Sequence, residues 1–225
     1  SCGTCAELCR FDAVHAPGAG GSGGFAVSAL SCEGCGVCVD HCPEQAIALV
    51  PIRNGEAHRS QTRHGPMLHA ELGVAQANSG KLVTLVRREG RAAAALGARE
   101  LLLCDASPGV GCPVMASITG ARFVLVVTEP TLSGLHDLER VATLCAQLGV
   151  RAGVCVNKAD LNPEMSDAIE ARVGARGMPF LGRVRYDPLV TAAQRLRRAV
   201  VELGDGPASR EVRAIWSRLQ GLLEL

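Results

Sequence analysis

The chain has 225 residues, enough for one large or two small domains. Its 23 basic and 22 acidic residues nearly cancel, which leaves no electrostatic case for nucleic acid or an anionic membrane, and aromatics at 3% leave no base-stacking platform. No apolar run reaches transmembrane length and no signal-peptide pattern opens the chain. Eleven cysteines could suggest a secreted disulfide framework, but seven lie in the first 42 residues at ligand spacings. That distribution fits a reducing, cytoplasmic setting. The chain opens on Ser1, directly inside a motif, so further sequence is expected upstream.

The first motif, Cys2-Gly-Thr-Cys5-Ala-Glu-Leu-Cys9, reads C-x2-C-x3-C, with a short apolar strand expected over 11–14. A glycine-rich run over 17–24 follows. No lysine comes after it and 25–30 reads as strand, so it is expected to be a hairpin tip rather than a phosphate cradle. Next comes Cys32-Glu-Gly-Cys35-Gly-Val-Cys38-Val-Asp-His-Cys42-Pro43. Its C-x2-C-x2-C-x3-C-P spacing wraps a cubane iron–sulfur cluster. Zinc is the competing ligand, but zinc sites take cysteine pairs and have no use for a third at the same short spacing. A second apolar strand is expected over 46–51.

Two copies of one motif, each followed by a strand, resemble a two-cluster bacterial-type ferredoxin. The resemblance implies two [4Fe-4S] clusters with crossed ligands. Cys32, Cys35 and Cys38 take Cys9, whereas Cys2 and Cys5 take Cys42 and a cysteine expected before Ser1. The first site is therefore one ligand short in this chain.

Asn54-Gly55 is a turn signal, and strands over 56–63 and 66–72 are expected either side of His64-Gly65. From residue 79 helix and strand alternate, the mark of a parallel α/β sheet. Helix is expected over 79–96, 133–148 (capped by Ser133), 163–175, 188–202 and 209–223. Strand is expected over 100–104, 121–127, 151–156 and 178–183. The fold class is a parallel-sheet nucleotide-binding core with a small α+β ferredoxin-like domain. The expected domains are 1–52 for the clusters, 53–78 as connecting hairpin and 79–225 as the nucleotide-binding part. Cys104, Cys145 and Cys155 read as core.

In a parallel sheet, ligands bind at the carboxyl ends of the strands. The string over 101–113 ends an apolar strand in Asp105 and continues Pro108-Gly109-Val-Gly111-Cys112-Pro113. It reads as a switch loop, with Asp105 beside Mg²⁺ or its water and the backbone around Pro108, Gly109 and Gly111 near a γ-phosphate. Asn157-Lys158-Ala-Asp160 ends another strand and can read a purine base. The Thr128–Gly134 joint is read equally as nucleotide-proximal or as a helix cap. No Gly-Lys-Ser/Thr loop occurs, and the two lysines are Lys81 and Lys158.

These strings, in the order S-G-K-L-V, D-x-x-P-G-x-G-C-P-V, T-E-P-T-x-S-G-x-H-D-L-x-R and N-K-x-D-L-N, resemble the MinD-superfamily P-loop ATPases that carry an inserted ferredoxin domain. The resemblance implies ATP and Mg²⁺ as ligands, with the phosphate-binding loop upstream of Ser1. It implies Asp105 as switch aspartate, Asn157 as base reader flanked by Lys158 and Asp160, and Tyr186-Asp187 near the base. GTP stays open, because N-K-x-D is also the guanine-reading motif. It further implies a nucleotide-dependent homodimer, or heterodimer with a paralogue, and a redox partner protein. Cys112 is read as a buried residue at a helix start, with a cluster-bridging role as the alternative. The leading function is nucleotide-gated electron transfer. The alternatives are an ATP-dependent cluster carrier and a stand-alone ferredoxin module, and these 225 residues alone are expected to be inactive as an ATPase.

Overall fold

The computed structural model describes residues 2–16, 23–53, 55–73 and 80–224. The chain divides into two compact units, Ser1–Leu102 and Leu103–Leu225.

The first unit begins with two one-turn helices, α1 (Thr4–Glu7) and α2 (Val37–Asp40). Each starts at a glycine in the left-handed region, Gly3 at φ 85° and Gly36 at φ 82°. The repeat extends along the backbone: Asp12 and Gln45 take φ 48° and 49°, at a constant offset of 33 residues. Strand β1 (Val14–His15) pairs antiparallel with β2 (Ala26–Val27), Val14 opposite Val27. The strand expected over 46–51 is not formed, and Leu49, Val50 and Ile52 stand exposed. The two copies thus share their turns but not their strands, because only the first has a partner segment beside it. Most of the glycine-rich run, 17–22, lies outside the described residues.

Strands β3 (Gly55–Thr62) and β4 (Gly65–Leu72) form the expected hairpin, closed by Thr62 opposite Gly65. Helix α3 (Gly80–Leu96) packs on β4 and buries Gly90 and Ala93. The segment 100–104 is not a strand, contrary to expectation. Its leucines are exposed, Leu103 at 80%, and among the described residues no strand pairs with it. Leu102 packs over Gly90 instead, where an added Cβ would sit 3.4 Å from it.

The second unit holds a parallel sheet of order β5 (Val124–Thr128), β6 (Ala152–Asn157), β7 (Phe180–Val184). Helices α5 (Leu132–Gln147) and α6 (Pro163–Ala175) make the crossovers, and α4 (Cys112–Ile118) precedes β5. The central β6 is buried on both faces, as a strand flanked by helices must be. Val154 and Val156 pack with Leu138, Ile169 and Val173, while Cys155 packs with Leu181, Ile215 and Leu219. The last three helices are α7 (Pro188–Arg195), α8 (Val200–Leu203) and α9 (Pro207–Leu223).

The single helix expected over 188–202 is broken. Arg197 turns left-handed at φ 54°, and Arg198 N–H bonds back to Ala193 O at 3.0 Å, the two-bond closure that ends a helix. Thr131, not Ser133, caps α5: its Oγ1 accepts from Gly134 N at 2.9 Å. Cys145 and Cys155 are buried as expected, but Cys104 is exposed on the unpaired segment. Cys112 starts α4 as expected but is exposed, not buried.

Candidate cluster and nucleotide sites

Cys9, Cys32, Cys35 and Cys38 line one recess of the first unit, together with Val14, Val27 and Leu49. The left-handed Gly34 and Gly36 turn the chain between the cysteines, at φ 63° and 82°. A side chain at either position would strain that turn. The backbone supplies hydrogen bonds to sulfur: Ala13 N donates to Cys9 Sγ and Ala46 N to Cys42 Sγ, both at 3.3 Å. For Cys9, the backbone amides of Ala13 first and Phe11 next pull the thiol below its ordinary value and favour thiolate. Cys2 is lowered too, chiefly by its hydrogen bonds with Thr4. Cys38 goes the other way: burial raises it, and Cys32 and Cys35 add to the rise.

Among the described residues no three His, Cys, Asp or Glu are set to hold a single metal ion. A single zinc ion draws its thiolates to about 2.3 Å from one centre, whereas a cubane carries its iron at four corners and takes ligands from around a recess. The residues present fit the cluster: four cysteines about one hollow, apolar walls and amides aimed at sulfur.

The second unit gathers three loops at the carboxyl ends of β5, β6 and β7. Gly134 sits where an added Cβ would lie 2.3 Å from Glu129 O, so the turn into α5 closes tightly. Thr128 Oγ1, buried, donates to Gly134 O at 2.9 Å. Asn157 ends β6 half-buried, and Lys158 follows in the left-handed region. Lys158 Nζ reaches Glu129 Oε1 at 2.6 Å and ties the first loop to the second. Asp160 Oδ1 accepts from Tyr186 N at 2.6 Å and ties the second to the third. Asp187 caps α7, accepting from Leu189 N at 2.9 Å, and reaches Ala208 N at 3.3 Å. Arg185 is clamped by Glu211 at 2.7 Å, which raises its pKa.

Asp105 does not stand at a strand end, because the strand before it is not formed; it is exposed on a segment outside any helix or strand. Pro108 and Gly109 lie in the turn that follows, Gly109 at φ 88°, and Gly111 caps α4. Asn157, Lys158 and Asp160 do meet at one sheet end. Glu129 as the partner of Lys158 was not read from the sequence. Its only signal was its place in the joint already singled out, Thr128–Gly134.

The family model described as "4Fe-4S binding domain" matches residues 26–48. An uncharacterized protein of Methanocaldococcus jannaschii is 29% identical over 161 residues, which is 72% of this chain and 54% of that protein. An uncharacterized ATP-binding protein of the same organism is 27% identical over 124 residues, 54% of this chain and 47% of that protein. The chain thus spans about half the length of the curated relatives it matches. Among solved structures, the MinD cell division protein of Aquifex aeolicus superposes with a TM-score of 0.56 at 20% identity, covering 72% of this chain and 68% of that one. The septum site-determining protein MinD of Pyrococcus horikoshii, complexed with Mg-ADP, gives 0.54 at 17% identity, covering 64% and 58%. At this identity the likeness shows the fold, which is MinD-like.

Proposed function

We propose that this chain couples nucleotide binding on a MinD-like sheet to electron transfer through two [4Fe-4S] clusters. The observation that carries the reading is the recess lined by Cys9, Cys32, Cys35 and Cys38. These four are the ligands of one cluster, and Cys2, Cys5 and Cys42 serve a second. When bound, a cubane supplies a one-electron store. The chain holds it in register by the repeated turns at Gly3 and Gly36. The amides of Ala13 and Ala46 spread negative charge from the sulfurs, and amides on cluster sulfur tune potential. We assign cluster binding to residues 1–52, the connection to 53–78 and nucleotide binding to 79–225.

In the nucleotide part, Asn157 reads the base, braced by Lys158 and Asp160. Asp105 orients Mg²⁺ or water, and Pro108, Gly109 and Gly111 sense the γ-phosphate. ATP is favoured over GTP: a guanine reader needs the Asp160 carboxylate free for two base N–H groups, and here Oδ1 is held by Tyr186 N–H. The sequence contains no Gly-Lys-Ser/Thr loop, so these 225 residues alone hydrolyse ATP negligibly. The working unit is a nucleotide-dependent homodimer, or a heterodimer with a paralogue, that delivers electrons to a redox partner protein.

The test is EPR of the anaerobic, dithionite-reduced protein extended upstream to include a phosphate-binding loop, with and without MgATP. Cubane signals that shift on adding MgATP support the coupling. Signals indifferent to nucleotide reduce the chain to a stand-alone ferredoxin module. A single, easily transferred cluster supports a carrier instead.

A further inference from the structure

The second unit carries a wide-mouthed cleft of about 470 Å³ that the proposed chemistry does not use. Helix α5 supplies His136, Glu139, Arg140 and Thr143 to its wall, and Arg176 stands just beyond α6. Val110, inside the loop 105–111, also lines the cleft. The volume is that of a small-molecule site.

The charges in the cleft do not balance internally. Glu139 is taken by Arg172, whose Nε sits 2.5 Å from Oε1. Asp137 serves Arg140 only loosely, at 3.6 Å, and His136 at 3.7 Å. Arg176 meets no carboxylate among the described residues. Its Nη1 reaches only the hydroxyl oxygen of Thr143, at 3.5 Å. That hydroxyl donates to Glu139 O at 2.8 Å, so it turns a lone pair toward the guanidinium. A guanidinium carries a planar fork of donors that matches carboxylate and phosphate, and this one is positioned but not neutralised.

We propose that this cleft binds a small anion, a phosphate or a carboxylate, through Arg176 and Arg140, and that the occupant restrains the loop 105–111 through Val110. The restraint rests on the reading of that loop as a nucleotide switch; the binding does not. The geometry makes the cleft an effector site beside the switch. A ligand that prefers one conformation of the loop shifts its population by its differential affinity.

The test is calorimetric titration of the full chain, without nucleotide, with inorganic phosphate and separately with succinate. Saturable one-site binding is expected with at least one of them, and which one binds identifies the source of the anion. Arg176→Gln and Arg140→Gln should each weaken it by about tenfold or more, the usual cost of losing a charge-assisted hydrogen bond. Asn157→Ala should leave it unchanged. Binding is overturned if neither anion saturates, if both arginine variants keep the parent affinity, or if Asn157→Ala abolishes it and so moves the anion to the strand ends. Amide hydrogen exchange over 105–111 reads the restraint: slower exchange on saturation is expected, and unchanged exchange overturns it. Nucleotide plays no part in these titrations, so their failure is distinct from a failure of the EPR test.

Discussion

The cysteine segment and the three strand-end loops are built on opposite principles. The cysteine segment takes its shape from local rules: a left-handed glycine, one helical turn, and an amide four residues on that reaches back to sulfur, written twice at one offset. It buries almost nothing else. Among described residues 2–53 only Ala13, Val14 and Gly36 are buried. The strand-end loops have little local order of their own and are held by contacts between segments distant in sequence, Lys158 with Glu129 and Asp160 with Tyr186. The first region has almost no core of its own; the second rests on the core beneath it.

Removal of iron should separate the two most strongly. A segment with so little core draws its folding energy from its ligand. After chelation of iron under reducing conditions, amides over 2–16 and 23–52 should exchange at nearly unprotected rates while those of β6 stay protected. Persisting protection over those residues would break the comparison at its root.

The converse change strikes the sheet. Ile169 is fully buried between α6 and β6. Ile169→Ala should cost about 2–5 kcal/mol in unfolding of the second unit. Denaturation followed by Trp216 fluorescence reads it, and the visible absorbance of the cluster should be unchanged.

Cys155 sharpens the contrast, because burial acts on it where amides act on Cys9. Its thiol is pushed up from 9.0 to about 11. The unfolded chain ionises first, so this contribution is whole below pH 9 and is lost as pH rises to about 11. The loss is about 2–3 kcal/mol at most. Cys155→Val should flatten that part of the stability profile, and a profile identical in both proteins would rule it out.

Smaller effects belong to the loops. Asp160→Ala removes the acceptor of Tyr186 N–H, and the exposed setting limits the cost to about 1 kcal/mol. Its clearer readout is weaker nucleotide binding by the upstream-extended protein. Glu129→Gln should change stability by about 0.5 kcal/mol or less, since both partners of the Lys158 pair are partly exposed, at 39% and 47%. A larger loss in chemical denaturation would show that the pair braces the site.

The 4Fe-4S spacing over 32–42 was legible because such a motif is a local code, readable without knowing where the rest of the chain goes. The same holds for the Gly55–Leu72 hairpin and for α6, which begins at the Asn162 cap and Pro163: turn chemistry and capping act over a few residues. The segment 100–104 was misread because an apolar run says only that burial is possible. Whether it becomes a strand depends on a neighbour that offers hydrogen bonds, and among the described residues no strand pairs with it. Ser133 was expected to cap its helix, and the extended backbone at Thr131, φ −133° and ψ 160°, made Thr131 the cap instead.

By itself, then, the sequence determined the cysteine motifs, the alternation that makes a parallel sheet, and the place of Asn157, Lys158 and Asp160 at the end of one strand, though not that of Asp105. Each is set by composition and spacing within a short window. Only the tertiary structure decided that Lys158 meets Glu129, that Asp160 is held by Tyr186, that Cys104 and Cys112 face solvent, and that Val110 borders a basic cleft. Those outcomes depend on which distant segments the sheet brings side by side, and no short window of sequence contains both partners.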